Sequence, residues 1–138
     1  MKVLSLFDGI SCGMLALQRA GIPVECYDAF EIDKYAVTVS KRNFPVIVHH
    51  GNVYDGDFTQ FKGYDLLLGG SPCTYWSIAK KDREVDCNGE GFRLFKEYVR
   101  ALEESGCKYF LYENNYSVHQ RIKDEICLLY TSPSPRDG

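Results

Sequence analysis

The sequence predicts an α/β protein built on a mostly parallel sheet with helices on both faces, and three observations predict it. Short apolar runs alternate with helix-like segments from the N-terminus onward, the order a parallel sheet requires. The apolar runs are continuous rather than alternating, as burial on both faces demands. The chemically distinctive residues all follow those runs, and in such sheets ligands bind beyond the carboxyl ends of the strands.

Lys2 to Phe7 is the first strand, and Asp8-Gly9-Ile10-Ser11-Cys12-Gly13 is the turn after it. Met14, Leu15, Leu17 and Gln18 open a helical pattern that stops at Gly21-Ile22-Pro23, a C-cap glycine followed by a proline. Val24 to Phe30 is the second strand and runs into Glu31-Ile32-Asp33. A helix from Lys34 to Arg42 follows and must end before Pro45. Val46-Ile47-Val48 reads as a third strand and Gly51 to Asp57 as a loop. Tyr64 to Leu68 is the fourth strand, flanked by Gly63 and by Gly69-Gly70, where a sharp turn is expected. Lys80 to Gly91 is polar and charged and reads as a mobile loop. Phe92, Phe95, Val99 and Leu102 make one helix face, ending at Ser105-Gly106. Lys108 to Tyr112 is the fifth strand, ending in Glu113; Val118, Ile122 and Ile126 suggest a last helix. Residues 1–130 thus form one domain. Residues 131–138, with two prolines and no apolar side chain, read as an unstructured tail foreign to the fold.

Composition narrows the function. A chain of 138 residues, 45% hydrophobic, can bury roughly 68% of its unfolded surface, which excludes wholesale disorder. The formal charge of −3 argues against a polycation-style nucleic-acid binder, so any such contact must rest on local patches. No stretch approaches the ~20 apolar residues of a membrane span, and Met1 to Phe7 is too short for a signal-peptide core. A cytoplasmic protein is expected. The cysteines stand at 12, 26, 73, 87, 107 and 127 without a Cys-x-x-Cys, so neither a zinc ribbon nor a thioredoxin motif has support. Most read as small buried hydrophobes.

Four constellations carry chemistry. The glycine loop Phe7 to Gly13 permits close approach of a ligand, or is an ordinary strand-to-helix turn; its spacing is not Gly-x-Gly-x-x-Gly. Glu31 can accept from both hydroxyls of an adenosine ribose while Ile32 packs on the adenine face, or it is a solvated acid at a helix start. Gly69-Gly70-Ser71-Pro72-Cys73 would present a thiol at the sheet rim, near a helix start and Lys80, Lys81 and Arg83, which favour the thiolate. The alternative is a buried inert cysteine. Finally, Tyr112-Glu113-Asn114-Asn115 follows the next strand, 40 residues beyond Cys73. Neighbouring fourth and fifth strands would set Glu113 beside Cys73, where a desolvated carboxyl group can act as a proton donor. The alternative there is a helix-capping acidic cluster. His49-His50 reads as structural or solvated, and His119 as helix surface.

In this order the motifs resemble the cytosine-C5 DNA methyltransferases. Leu6 to Gly13 looks like the family's first motif, Glu31-Ile32-Asp33 the second and Gly51-Asn52-Val53 the third. Gly70-Ser71-Pro72-Cys73 resembles its Pro-Cys motif and Glu113-Asn114-Asn115 its Glu-Asn-Val motif, in a form similar to phage, bacterial and animal de novo branches. The resemblance covers residues 3 to 127 and implies a Rossmann-like, S-adenosylmethionine-dependent fold, truncated after about the fifth strand. It implies that the Cys73 thiolate attacks C6 of a flipped cytosine, that Glu113 protonates or hydrogen-bonds N3, and that C5 takes the methyl group of S-adenosyl-L-methionine.

By position, Phe7, Asp8, Gly9, Gly13, Glu31, Ile32, Asn52, Val53 and Leu94 would line the cofactor pocket. Ser71, Pro72 and Asn114 would meet the base, and Lys80, Lys81 and Arg83 the phosphates of DNA, unless those charges merely solvate a loop. No metal is implied. Asn52 departs from the family's usual Asp, though its amide oxygen can still accept from the adenine amino group. The Gln-x-Arg-x-Arg segment, target recognition region and closing motifs are missing, which implies an incomplete enzyme or a partner chain and leaves the fifth strand an exposed edge. Two alternatives stay open: a non-catalytic remnant that binds cofactor or a partner, and a tRNA cytosine-5 methyltransferase. A nicotinamide-dependent oxidoreductase fits worst, because the glycine spacing is wrong and Cys73 would have no role.

Overall fold

The computed structural model describes residues 1–70 and 90–113. Ser71, Pro72, Cys73, Lys80, Lys81, Arg83, Asn114 and His119 lie outside the described residues, as do the expected last helix and the 131–138 tail.

Five parallel strands form one sheet: β1 (Lys2–Leu6), β2 (Cys26–Phe30), β3 (Val48–His49), β4 (Leu66–Gly70) and β5 (Tyr109–Glu113), in the order β3-β2-β1-β4-β5. The helices are α1 (Cys12–Arg19), α2 (Lys34–Asn43) and α3 (Glu90–Ser105), and two 3-10 turns, Val53–Asp55 and Phe58–Phe61, lie between β3 and β4. The chain moves from β1 outward through β2 to β3, then returns to place β4 on the other side of β1. Strand order therefore reverses between β1 and β4, the place where ligands lodge in open α/β sheets.

Two-residue alternation divides the strand side chains between two cores. Leu4, Leu6, Phe30 and Leu67 face the first, with the 3-10 turn residues Phe58 and Phe61 and with Tyr98, Ala101 and Leu102 of α3. Val3, Tyr27 and Ala29 face the second, with Met14 and Leu17 of α1. β1 and β2 thus bury both faces, which is why their apolar runs are continuous. α2 is capped by Asp33, whose carboxylate accepts from Tyr35 N–H at 2.9 Å and Ala36 N–H at 3.3 Å. Among the described residues no helix is long and apolar enough to cross a membrane.

The fold class is the expected one, but several boundaries move. The third strand is Val48–His49, not Val46–Val48. Pro45 and Val46 are taken up in a turn closed by Ile47 N–H on Phe44 O at 3.2 Å, and Val46 is exposed. The fourth strand runs through both glycines instead of turning at them: neither has a positive φ, and they pair with Leu6, Tyr112 and Glu113. The loop expected at Gly51 to Asp57 holds a 3-10 turn, and α3 already begins at Glu90. On α3 the deepest residues include Tyr98 and Ala101, beside the expected Phe92, Phe95 and Leu102; Val99 is only half-buried. β5 has β4 on one side and no strand on its other side among the described residues, and Tyr109, Phe110 and Leu111 are exposed.

Candidate functional site

A cavity of about 440 Å³ opens at the β1/β4 switch point, a size that suits a small organic ligand. Leu6, Phe7, Asp8 and Gly13 line one side, Leu68, Gly69 and Gly70 the other, and Leu111 and Glu113 close it from β5.

The loop after β1 is held in an unusual backbone path. Phe7, Gly9 and Ser11 have φ of 57°, 60° and 71°. Left-handed backbone costs non-glycine residues about 1–2 kcal/mol each, so the loop must be fixed by its surroundings. Asp8 does much of that fixing. Its Oδ1 accepts from Ser5 Oγ at 2.7 Å and Tyr27 Oη at 2.6 Å, and its Oδ2 accepts from Ser11 Oγ. Ser11 Oγ also meets Ser40 Oγ of α2 at 2.5 Å, in a fully buried contact. Burial and then the Asp8 charge push the Tyr27 phenol far above its ordinary range, so it stays a hydrogen-bond donor.

Gly9 and Gly13 serve different ends. A Cβ on Gly9 would meet nothing within 4 Å, so the loop backbone is open there. Gly9 N–H donates to Glu31 Oε1 at 2.7 Å, while Oε2 accepts from Asp33 N–H at 3.0 Å. A Cβ on Gly13 would fall 2.9 Å from Leu68 Cδ1 and 3.0 Å from Tyr27 Oη. Glycine there lets the start of α1 press against the sheet.

The expected pocket residues divide. Phe7, Asp8 and Gly13 line the cavity, and Gly9 is tied to Glu31. Ile32, at 71% exposure, is not among the lining residues. Asn52 caps the turn Val53–Asp55, its Oδ1 accepting from Tyr54 N–H at 2.9 Å. Val53 is buried in the first core and Leu94 packs against that core, so both stand behind the site rather than on its wall.

Glu113 is the last residue of β5 and stands in register with Gly70, three positions before Cys73. A Cβ on Gly70 would lie 3.2 Å from Glu113 O and 3.4 Å from Glu113 Cβ, so the missing side chain lets the two strand ends approach. Glu113 also lines the cavity, with an exposed residue surface. Cys73, with Ser71 and Pro72 before it, follows directly beyond the described end of β4.

Ser5, Cys12, Ala16, Leu68 and Leu111 line the cavity as well and were missed from sequence. Cys12 and Ala16 carried a readable signal, since they lie four apart from the glycine loop into α1 and share one helix face with it. No group of three potential metal ligands gathers among the described residues.

Comparison with known proteins agrees with this geometry. The family model for C-5 cytosine-specific DNA methylase matches residues 1–126. The orphan methyltransferase M.SPRI of Bacillus phage SPR is 38% identical over 118 residues, covering 83% of this chain and 26% of that protein. The type II methyltransferase M.HgiCII of Herpetosiphon aurantiacus is 34% identical over 116 residues, covering 82% and 25% respectively. The chain thus spans about a quarter of the length of these relatives. In fold it is similar to the Dnmt2 methyltransferase of S. pombe, with a TM-score of 0.60 and 19% identity over 83% of this chain and 33% of that one. A Spodoptera frugiperda DNMT2 mutant gives 0.66 and 24% over 91% and 40%. With its glycine loop, its acid after β2 and its Pro-Cys and Glu-Asn segments following β4 and β5, the chain belongs to the C-5 cytosine-specific DNA methylase family.

Proposed function

We propose that this chain carries the cofactor-binding and nucleophile-bearing part of a DNA (cytosine-5-)-methyltransferase. The register that sets Glu113 opposite Gly70, on a cavity shared with the glycine loop, carries the reading. The full activity would also need a target-recognition part, in the same protein or on a partner chain, and the reading implies a cytoplasmic protein.

The residues present fit S-adenosyl-L-methionine. The open backbone at Gly9 offers a face for close approach, and each Glu31 oxygen, after one backbone N–H, keeps a lone pair for a ribose hydroxyl. Phe7, Asp8 and Gly13 would border the donor, with Ile32, Asn52, Val53 and Leu94 at or behind its adenine. When bound it supplies an electrophilic methyl carbon to C5 of the cytosine. Cys73 Sγ, as thiolate, bonds to C6, and Glu113 gives N3 a proton or hydrogen bond, so the ring's electron pair moves to C5. Once C5 is alkylated, its proton leaves to a base, the C6–Sγ bond breaks as C5=C6 reforms, the thiolate departs, and any proton that N3 took returns to Glu113. Ser71, Pro72 and Asn114 would frame the base. Lys80, Lys81 and Arg83 would meet phosphates, helping to offset the few kcal/mol of flipping the cytosine from its stack.

The test is transfer of labelled methyl groups from S-adenosylmethionine to cytosine-containing DNA, with tRNA as the competing acceptor, using the chain alone and a version continued to the length of its relatives. Label in DNA is expected from the longer protein. Cys73→Ala should abolish it, and Glu113→Gln should slow it about 10²- to 10⁴-fold. Undiminished transfer by Cys73→Ala would overturn the mechanism, cofactor binding without transfer would mark a non-catalytic remnant, and label confined to tRNA would move the substrate.

A further inference from the structure

α2 carries a charge pattern that no role given above uses. Residues 34–54 hold Lys34, Lys41 and Arg42 and no carboxylate, so all 19 acids of this net-negative chain lie outside that stretch. The three cations are exposed, and among the described residues none of them forms an ion pair. Asp33, the acid next to them in sequence, directs its Oδ1 to the backbone N–H groups of Tyr35 and Ala36.

Helix stability accounts for two of the three. Lys41 and Arg42 stand in the last turn, where the helix dipole favours cations. Lys34 is the first residue of α2, where the same dipole disfavours a cation, and beyond the cap Asp33 the first turn holds no acid to offset it. Lys34 and Lys41 are seven residues apart, two turns of helix, so they share one face about 10 Å apart along the axis. That spacing approaches the ~12 Å width of the DNA major groove, which phosphates border on both sides. Thr38 lies between them, and Tyr35, 86% exposed, stands next to Lys34 in sequence. Hydroxyls as well as cations bond to phosphate oxygens.

We propose that the outer face of α2 is a docking surface for the phosphate backbone of duplex DNA, with Lys34 on one side of a groove and Lys41 and Arg42 on the other. The inference takes DNA as the partner from the reading above and adds a contact away from the cavity. α2 leads into β3, which ends the sheet opposite β5 and Glu113. Such a contact is blind to sequence, and it gives a chain whose net charge repels DNA a local patch that holds it.

Fluorescence anisotropy of a short labelled duplex, titrated with the full chain over a salt series and without methyl donor, tests it. Lys34→Gln together with Lys41→Gln should reduce the slope of log affinity against log salt by about 1.8, because each phosphate contact contributes about 0.9. Lys62→Gln together with Lys108→Gln removes the same charge from exposed positions outside α2 and should leave the slope unchanged. An equal fall in both double variants would reduce the effect to net charge and overturn the proposal. No fall in the α2 variant overturns it too, as does a native chain that is retained by anionic vesicles but not by the duplex. Should the α2 double variant fail to fold, Arg42→Gln alone should lower the slope by about 0.9. Since no methyl donor is present, a failure of the cofactor reading would leave this result standing, and loss of the α2 contact would leave cofactor binding intact.

Discussion

Asp8 and His49 show how differently two polar side chains near the sheet rim are treated. The Asp8 carboxylate collects hydroxyls from Ser5, Ser11 and Tyr27, so burying part of its charge leaves few lone pairs idle. The two ring nitrogens of His49 are buried without a hydrogen-bond partner among the described residues. Burial, with the charge of Lys41 adding to it, holds the His49 imidazole below its ordinary value of 6.5, and Asp8 opposes them. The folded chain therefore takes this proton less readily than the unfolded chain. Stability from this site is complete above the unfolded value, and it falls as the pH drops through and below about 6.5. Urea midpoints should decline between about pH 7.5 and about pH 5, and His49→Gln should flatten that decline. An unchanged slope in the variant would mean that other groups set the pH response. Residues 7, 8, 13 and 113 could be read from sequence because they sit in contiguous motifs. Tyr27 and Ser40 could not, because each reaches the loop from a separate element and nothing local marks the contact.

At the level of elements the glycines of β4 are the most instructive case. From sequence, Gly69-Gly70 looks like punctuation at the end of a strand. In the fold both are strand, and what they supply is room. A Cβ on Gly69 would lie 2.6 Å from Cδ2 and Cε2 of Tyr98. That ring is fully buried, and its hydroxyl donates to Leu67 O at 3.3 Å and Leu111 O at 3.1 Å, so it cannot simply swing away. Gly69→Ala should therefore destabilise the chain by about 1–3 kcal/mol, an overpacking penalty read from chemical denaturation. An alanine variant as stable as the native chain would show that Tyr98 has slack the contacts do not reveal. Periodicity alone cannot separate a glycine that turns from one that makes room, because both interrupt an apolar run in the same way. On α3 the local spacing made Phe92, Phe95 and Leu102 legible, but it named Val99 where the buried residue is Tyr98, whose depth is set by the strands opposite it. The shift of the third strand has a local cause too, since Pro45 places Val46 in a turn and leaves only Val48 and His49 to pair.

For the molecule as a whole, strand alternation was enough to give a parallel sheet, and the order of the special residues was enough to place a site at its carboxyl edge. Strand order decides how firmly each part of that site is held. β1 is paired on both sides, to β2 and to β4, and Val3 and Leu4 are fully buried. Among the described residues β3 pairs at two positions, and β5 is paired on one side with Tyr109 and Leu111 each 63% exposed. Backbone hydrogen bonds in β1 should therefore open only when the whole chain unfolds, whereas those of β3 and β5 should open locally at lower free energy. Native-state hydrogen exchange reads this directly: the amides of Leu4, Ser5 and Leu6 should be the slowest, and those of Val48 and Leu111 faster by about 10²-fold or more. Two halves of the site would then differ in rigidity, with the glycine loop anchored to the most stable strand and Glu113 carried on a yielding one. Addition of S-adenosylmethionine should slow exchange beside Gly9 and Gly13 more than at β5, because only the first half is proposed to hold it. If β5 proved as protected as β1 in the free chain, the acid would ride on a rigid edge, and the division of the site into a fixed and an adjustable half would be wrong.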